Sequence, residues 1–174
     1  MPSPIPGVHH VTAIASDPRR NLEFYTDTLG LRLVKRSVNQ DDVTVYHLFY
    51  GDRVGTPGTS MTFFPYPGVS PGRIGTGQVS TTQFLVPADA IAYWKDRLGE
   101  TNVDFEGPED RLGDPVIALR DPDGLELELV GRSDAPEGHP PEGPVPPEAS
   151  IRGFFGVTLS VSDLDRMGGL LRLL

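Results

Sequence analysis

The sequence predicts an α+β protein built from tandem βαβββ modules. Two observations carry this. The order strand, helix, then three strands occurs twice along the 174 residues. The two helix ends also match letter for letter in part. Phe24-Tyr25-Thr26-Asp27-Thr28-Leu29-Gly30 aligns with Tyr93-Trp94-Lys95-Asp96-Arg97-Leu98-Gly99, each with two aromatics, an Asp two residues on, and a closing Leu-Gly. Self-similarity of this kind points to a duplicated unit of about 65 residues. The 20 glycines and 18 prolines suit a chain rich in strands and turns.

The first module spans residues 6–67. "HHVTAIAS" alternates as a strand does. In "DPRRNLEFYTDTLG", Asp17 suits an N-cap, Pro18 the first helical position and Gly30 the helix end, with Leu22, Tyr25 and Leu29 on one apolar face. "LRLVKRSV", "VTVYHLFYG" and "TSMTFFPYP" supply three strands. The second module, 76–132, repeats the pattern with strand "QVSTTQFLVP", helix "ADAIAYWKDRLG" and strands "VDFEGPED", "DPVIALRDP" and "GLELELVG". The stretch 133–150, "SDAPEGHPPEGPVPPEAS", is acidic and Pro-rich without periodicity, and reads as an extended linker with His139 solvated.

A third, incomplete module occupies 151–174. "FFGVTLSVSD" aligns with "HHVTAIASD", placing Phe155 at His9, Gly156 at His10 and Asp163 at Asp17. One strand and part of a helix cannot bury their own apolar face. The simplest expectation is a longer protein of four modules. The alternative is a tail that packs on the two-module body or on a second copy. The unfinished module predicts exposed apolar surface and hence self-association, a homo-oligomer included.

Composition limits the function. A net charge of −9 argues against nucleic acid, which needs concentrated basic charge. No apolar run is long enough for a membrane span, and "MPSPIPG" is unlike a signal peptide, so a cytoplasmic location is expected. The absence of cysteine removes disulfides and thiolate metal sites.

Candidate site residues follow from strand parity, since successive side chains face apart. Val11, Ala13 and Ala15 form a row suited to packing under a helix, whereas His10, Thr12, Ile14 and Ser16 face away. His9 shares the packed parity but lies at the strand's start. Parity thus favours His10 as the histidine that points squarely off the sheet. A histidine on a strand is more often structural than a ligand, and spacing alone leaves that open. In "DPDGLELELVG", Asp121 to Gly124 form a turn, the leucines share one face, and Glu126 with Glu128 share the other. That acidic face is either solvated or contributes a metal ligand.

The repeat, "HHVTAIASD" at its first strand and "DPDGLELELV" at its last together resemble the vicinal oxygen chelate superfamily of glyoxalases, bleomycin-resistance proteins and extradiol dioxygenases. Within it, "HHVTAIASDPRRNLEFYTDTLGLRLVKRSVN", "YHLFYGD", "GTPGTSMTFFPYP" and "GRIGTGQ" resemble four-module ring-cleaving dioxygenases of hydroquinone type, almost continuously from Gly7 to Gln78. The resemblance implies curled mixed sheets, an aromatic substrate with O2, and Fe(II), or Mn(II), held by two histidines and a glutamate with open positions for substrate. By position it implies His10 as a metal ligand, His9 as a neighbour that bonds substrate or moves a proton, and Thr12 as a pocket wall. The second His and the Glu of that site would lie in a fourth module, leaving this stretch inactive alone. Thr81 and Gly156 stand where other modules would carry a histidine. Glu128 matches the superfamily's carboxylate position and reads as a relic ligand. His47 reads as a buried structural histidine, and Phe63 and Phe64 as wall candidates of which at least one packs the core. The same fold also hosts metal-free binding or resistance modules and Ni or Zn lyases of glyoxalase type.

Overall fold

The computed structural model describes Ile5 and residues 7–173. Pro6 and Leu174, the outer bounds expected for the first and third modules, lie outside the described residues. The first unit contains β1 (His10–Ala15), α1 (Pro18–Glu23), β2 (Arg32–Val38), β3 (Tyr46–Gly51) and β4 (Ser60–Pro65). The second contains β5 (Gln78–Pro87), α2 (Ile91–Glu100), β6 (Phe105–Arg111), β7 (Asp114–Arg120) and β8 (Glu126–Arg132). β9 (Gly153–Ser160) and α3 (Leu164–Leu171) follow.

Local chemistry accounts for these elements. Asp17 caps α1, its Oδ1 accepting the amides of Arg19 at 2.8 Å and Arg20 at 2.9 Å, with Pro18 in the first turn. The helix then widens into a π turn over Phe24–Thr28, closed by Leu29 N–H to Phe24 O at 3.0 Å. The sequence pattern gave no sign of that change of pitch. Phe24 and Tyr25, both in this turn, are buried.

The four strands of the first unit run in the order β1-β4-β3-β2, and the second sheet in the order β6-β7-β8-β5-β9. In each unit the first and last strands pair in parallel. His10 lies opposite Ser60 and Thr12 opposite Thr62 in one; Thr81 lies opposite Glu126 and Gln83 opposite Glu128 in the other. The duplicated letters therefore encode a duplicated ladder. β9 does more than trail behind. It pairs antiparallel along β5, with Thr82 opposite Val157, Thr81 opposite Thr158 and Gln83 opposite Gly156.

One hydrophobic core joins the units. Tyr25, Tyr50, Met61, Phe63, Phe84, Trp94 and Leu98 are fully enclosed, and Tyr25 stacks on Tyr50 at 5.3 Å. The "DPDG" turn of the second unit docks on the first. Tyr25 Oη donates to Asp121 Oδ2 at 3.2 Å, Ser16 N–H donates to Asp123 Oδ2 at 3.1 Å, and Arg20 Nη2 donates to Pro122 O at 3.1 Å. Arg97 answers from α2, donating to Thr28 O at 2.8 Å and to Asp27 O.

The Pro-rich stretch 133–150 is extended but is a seated strap rather than a spacer. Val145 and Ala149 are buried in the core. Trp94 Nε1 donates to Ala149 O at 2.9 Å, and Arg53 N–H donates to His139 O at 2.9 Å while the His139 side chain stays exposed. Gly30, at φ +70°, is held glycine by this strap: a Cβ there would lie 2.5 Å from Val145 Cγ2. A strap of this kind anchors through isolated apolar residues and needs no periodicity. α3 buries none of its residues, and Leu164, Leu170 and Leu171 are exposed. Among the described residues no helix is long and apolar enough to cross a membrane.

Candidate functional site

Each sheet packs one face on the core and turns the other outward. On the first sheet the outer face carries His10, Thr12 and Ile14 from β1, Thr62 and Phe64 from β4, His47 and Phe49 from β3, and Lys35 from β2. The alternation supports this division: Val11 and Ala13 pack against the core and Ala15 lies in it, whereas His10, Thr12 and Ile14 are exposed. Phe63 is wholly buried and Phe64 only partly, so the adjacent pair splits between core and wall.

His9 and His10 meet edge to face, with Nδ1 3.1 Å from Nδ1. One of the two must carry the proton of that bond. If His10 donates from Nδ1, its Nε2 is left with a lone pair, the form that binds a cation. Thr12 Oγ1 and Thr62 Oγ1 lie 2.9 Å apart and satisfy each other. His47 is clasped by Phe49 at 3.9 Å and Phe64 at 4.1 Å between ring centroids. Burial, with the charges of Lys35 and His10 nearby, holds its imidazole below the usual histidine range and therefore neutral. Lys35 Nζ stands 5.4 Å over the Phe49 ring.

β1 is the outermost strand of its sheet, so among the described residues one of its edges is unpaired. The face has a floor but no second wall. A cavity of about 970 Å³ lies elsewhere: it opens between α1 with its π turn and the second sheet, lined in part by Phe24, Thr28, Thr81, Ala118, Glu126 and Glu128, and not by His10.

The second sheet handles its polar groups differently. The Glu128 carboxylate receives Arg111 Nη1 at 2.8 Å on both oxygens and Gln83 Nε2 at 2.7 Å on Oε2. Gln83 faces Gly156, where a Cβ would stand 3.1 Å from Gln83 Oε1. Sequence reasoning found Glu128 but missed Arg111 and Gln83, which lie 17 and 45 residues away and are neighbours only through strand pairing. The structure does not gather the candidate residues into one cluster: among the described residues no three His, Cys, Asp or Glu side chains converge. His10 fits a metal by its exposure and its oriented ring, but as one donor of a larger set. Glu128 is already neutralised by a guanidinium and sits on the other sheet.

The Glyoxalase/Bleomycin resistance protein/Dioxygenase superfamily model matches residues 7–129. MhqO of Bacillus subtilis, named as a ring-cleaving dioxygenase, is 44% identical over 165 residues, covering 95% of this chain and 53% of that protein. The chlorohydroquinone/hydroquinone 1,2-dioxygenase of Sphingobium indicum is 29% identical over 176 residues, covering 99% of this chain and 55% of its own. A crystal structure of a Bacillus subtilis protein titled as a dioxygenase superposes with a TM-score of 0.92 at 43% identity, covering 96% of this chain and 54% of that one. The chain thus spans about half the length of these relatives.

Proposed function

The chain belongs to the glyoxalase/bleomycin resistance protein/dioxygenase superfamily, and on that premise we propose that it forms part of a ring-cleaving dioxygenase of the extradiol type. The substrate class is a hydroquinone or catechol-like aromatic, with O2 as co-substrate. In this reading His10 is one ligand of a divalent iron, or manganese, ion. His9 orients His10 and moves a proton, and Thr12 lines the pocket. The observation that carries the reading is the His9–His10 contact at the head of an open-edged strand. With the proton on His10 Nδ1, it leaves the His10 Nε2 lone pair free on an exposed side chain. The likeness to MhqO and to the hydroquinone dioxygenase supplies the reaction class.

The remaining ligands would come from a strand lying along the free edge of β1. The second sheet offers a template. β9 meets β5 antiparallel, with Thr82 opposite Val157 at the centre, and both align with Val11. A strand set on β1 in the same register would bring its own side chains beside His10 and close the open wall. Glu128 is assigned a structural part here, because Arg111 and Gln83 hold its carboxylate.

When bound, the metal would supply Lewis acidity and a path for electrons between ring and O2. The chain's own residues have simpler tasks. His10 presents Nε2. His9, neutral with its proton on Nε2, hydrogen-bonds the phenolic oxygen; it moves a proton when its Nδ1 turns from His10 to accept one and Nε2 releases the one it carries. Phe49 and Phe64 offer an apolar floor for a ring, and Lys35 favours a phenolate over a phenol. The test is oxygen consumption with hydroquinone after anaerobic loading with Fe(II). His10→Ala should abolish uptake, and His9→Ala should lower it by about 100-fold while leaving metal content unchanged. Undiminished uptake by His10→Ala would contradict the proposal.

A further inference from the structure

His47 is the side chain on the His10 face whose chemistry the account above leaves unused. Its Nε2 is enclosed and has no hydrogen-bond partner among the described residues. A buried nitrogen without a partner forfeits its hydration and weakens the fold. Phenylalanine would fill the slot between Phe49 and Phe64 without that loss, so packing alone does not account for a histidine there. The nearest hydroxyl pair on this face, Thr12 and Thr62, is spent on itself at 2.9 Å.

We propose that His47 is a specificity-determining residue that hydrogen-bonds the second hydroxyl of a dihydroxylated aromatic ring whose first oxygen is held near His10. The inference rests on the functional reading given above and deepens it. The two oxygens of a hydroquinone lie at opposite ends of the ring, so a face that holds one must meet the other across its floor. His47 and His10 are suited to this. They share one face, on strands separated by β4. Phe49, level with Thr62 and Thr12, lies between them, and Phe64 stands beside His47; these are surfaces on which a ring can rest. His47 is only partly buried, and the ring torsion of a histidine is broad. Binding would require a turn of the ring within the slot that brings the nitrogen to the open face. A neutral imidazole can then donate to, or accept from, the hydroxyl.

The test compares hydroquinone with phenol, which lacks the second hydroxyl, by NMR titration of the protein as its gene encodes it, stripped of metal with a chelator. Hydroquinone should bind about 10-fold tighter than phenol, the worth of one hydrogen bond, and should move a His47 imidazole ¹⁵N resonance that phenol leaves in place. His47→Phe should erase the preference while raising the melting temperature by roughly 2–4 °C. Should that variant fail to fold, the ¹⁵N shift in the wild-type protein decides alone. Hydroquinone binding with the preference intact in His47→Phe, or with the His47 resonance unmoved, would overturn the role of His47 and leave the dioxygenase reading standing. Failure of both rings to bind the wild-type protein would overturn the role of His47, and the dioxygenase reading would still be decided by the oxygen-uptake test.

Discussion

The two sheets share one ladder and differ in what they do with it. β1 pairs with β4 as β5 pairs with β8, yet where the first has His10, Thr12 and Thr62, the second has Thr81, Gln83 and Glu128. The second sheet is closed at its β5 edge by β9, and its buried carboxylate is consumed by Arg111 and Gln83. The first is open at β1 and holds an exposed, oriented histidine and an unsatisfied one. Duplication preserved the backbone pairing and the core, while the outward faces diverged. One face spends its polar groups on itself and serves stability. The other pairs Thr12 with Thr62 but leaves His10 exposed and His47 Nε2 without a partner among the described residues, and the proposed function draws on that difference.

That contrast can be broken most forcefully at Arg111. Arg111→Met leaves Glu128, with a side chain only 11% exposed, without its counter-charge. The half-exposed arginine tempers the usual penalty of a broken buried pair, so about 2–3 kcal/mol is expected, read from chemical denaturation. The double variant Arg111→Met with Glu128→Leu should recover much of the loss, as an apolar replacement often does. Failure of the single variant to destabilise the fold would mean that the second face is not self-satisfied. The seam where β9 meets the first unit comes next. Gly153 has φ +135°, and a Cβ there would stand 2.7 Å from Gly58 O, the atom that accepts Phe154 N–H at 2.8 Å. Gly153→Ala should cost about 2 kcal/mol in the same assay.

A smaller effect is expected at the docked turn. Tyr25→Phe removes a donor from the buried Asp121 and should cost about 1 kcal/mol, with the core ring retained. The smallest is a pH effect at Asp52. Burial alone would raise its carboxyl, but donors from Thr56 and the amides of Val54 and Gly55 outweigh it, and the folded value lies below the ordinary 3.8. The folded state therefore binds this proton less readily than the unfolded chain. Its stabilisation is complete above the unfolded value and fades as pH falls through the folded one. Asp52→Asn should flatten that part of the acid-unfolding curve and leave its slope near neutrality unchanged.

Much of the scaffold was legible in sequence because it is written locally. Asp17-Pro18 states a helix start, the "DPDG" letters state a turn, and alternation separated Val11 and Ala13 from His10 and Thr12. The two matched helix ends announced the repeat. What could not be read depends on distant pairing. The Arg111–Glu128–Gln83 cluster, the clasp of Phe49 and Phe64 around His47, and the seating of Val145 against Gly30 join residues with no local signal. The π turn escaped because apolar spacing and helix propensity do not tell it from an α turn. The cavity of about 970 Å³ likewise depends on how α1 meets the second sheet, which strand letters do not state.

The account turns on the claim that metal chemistry belongs to the first sheet and not the second. Mn(II) affinity, measured by electron paramagnetic resonance on the protein as its gene encodes it, tests this directly. His10→Ala should weaken binding by at least about 10-fold, while Glu128→Gln should leave it unchanged. Weakened binding in Glu128→Gln with wild-type affinity in His10→Ala would contradict the account.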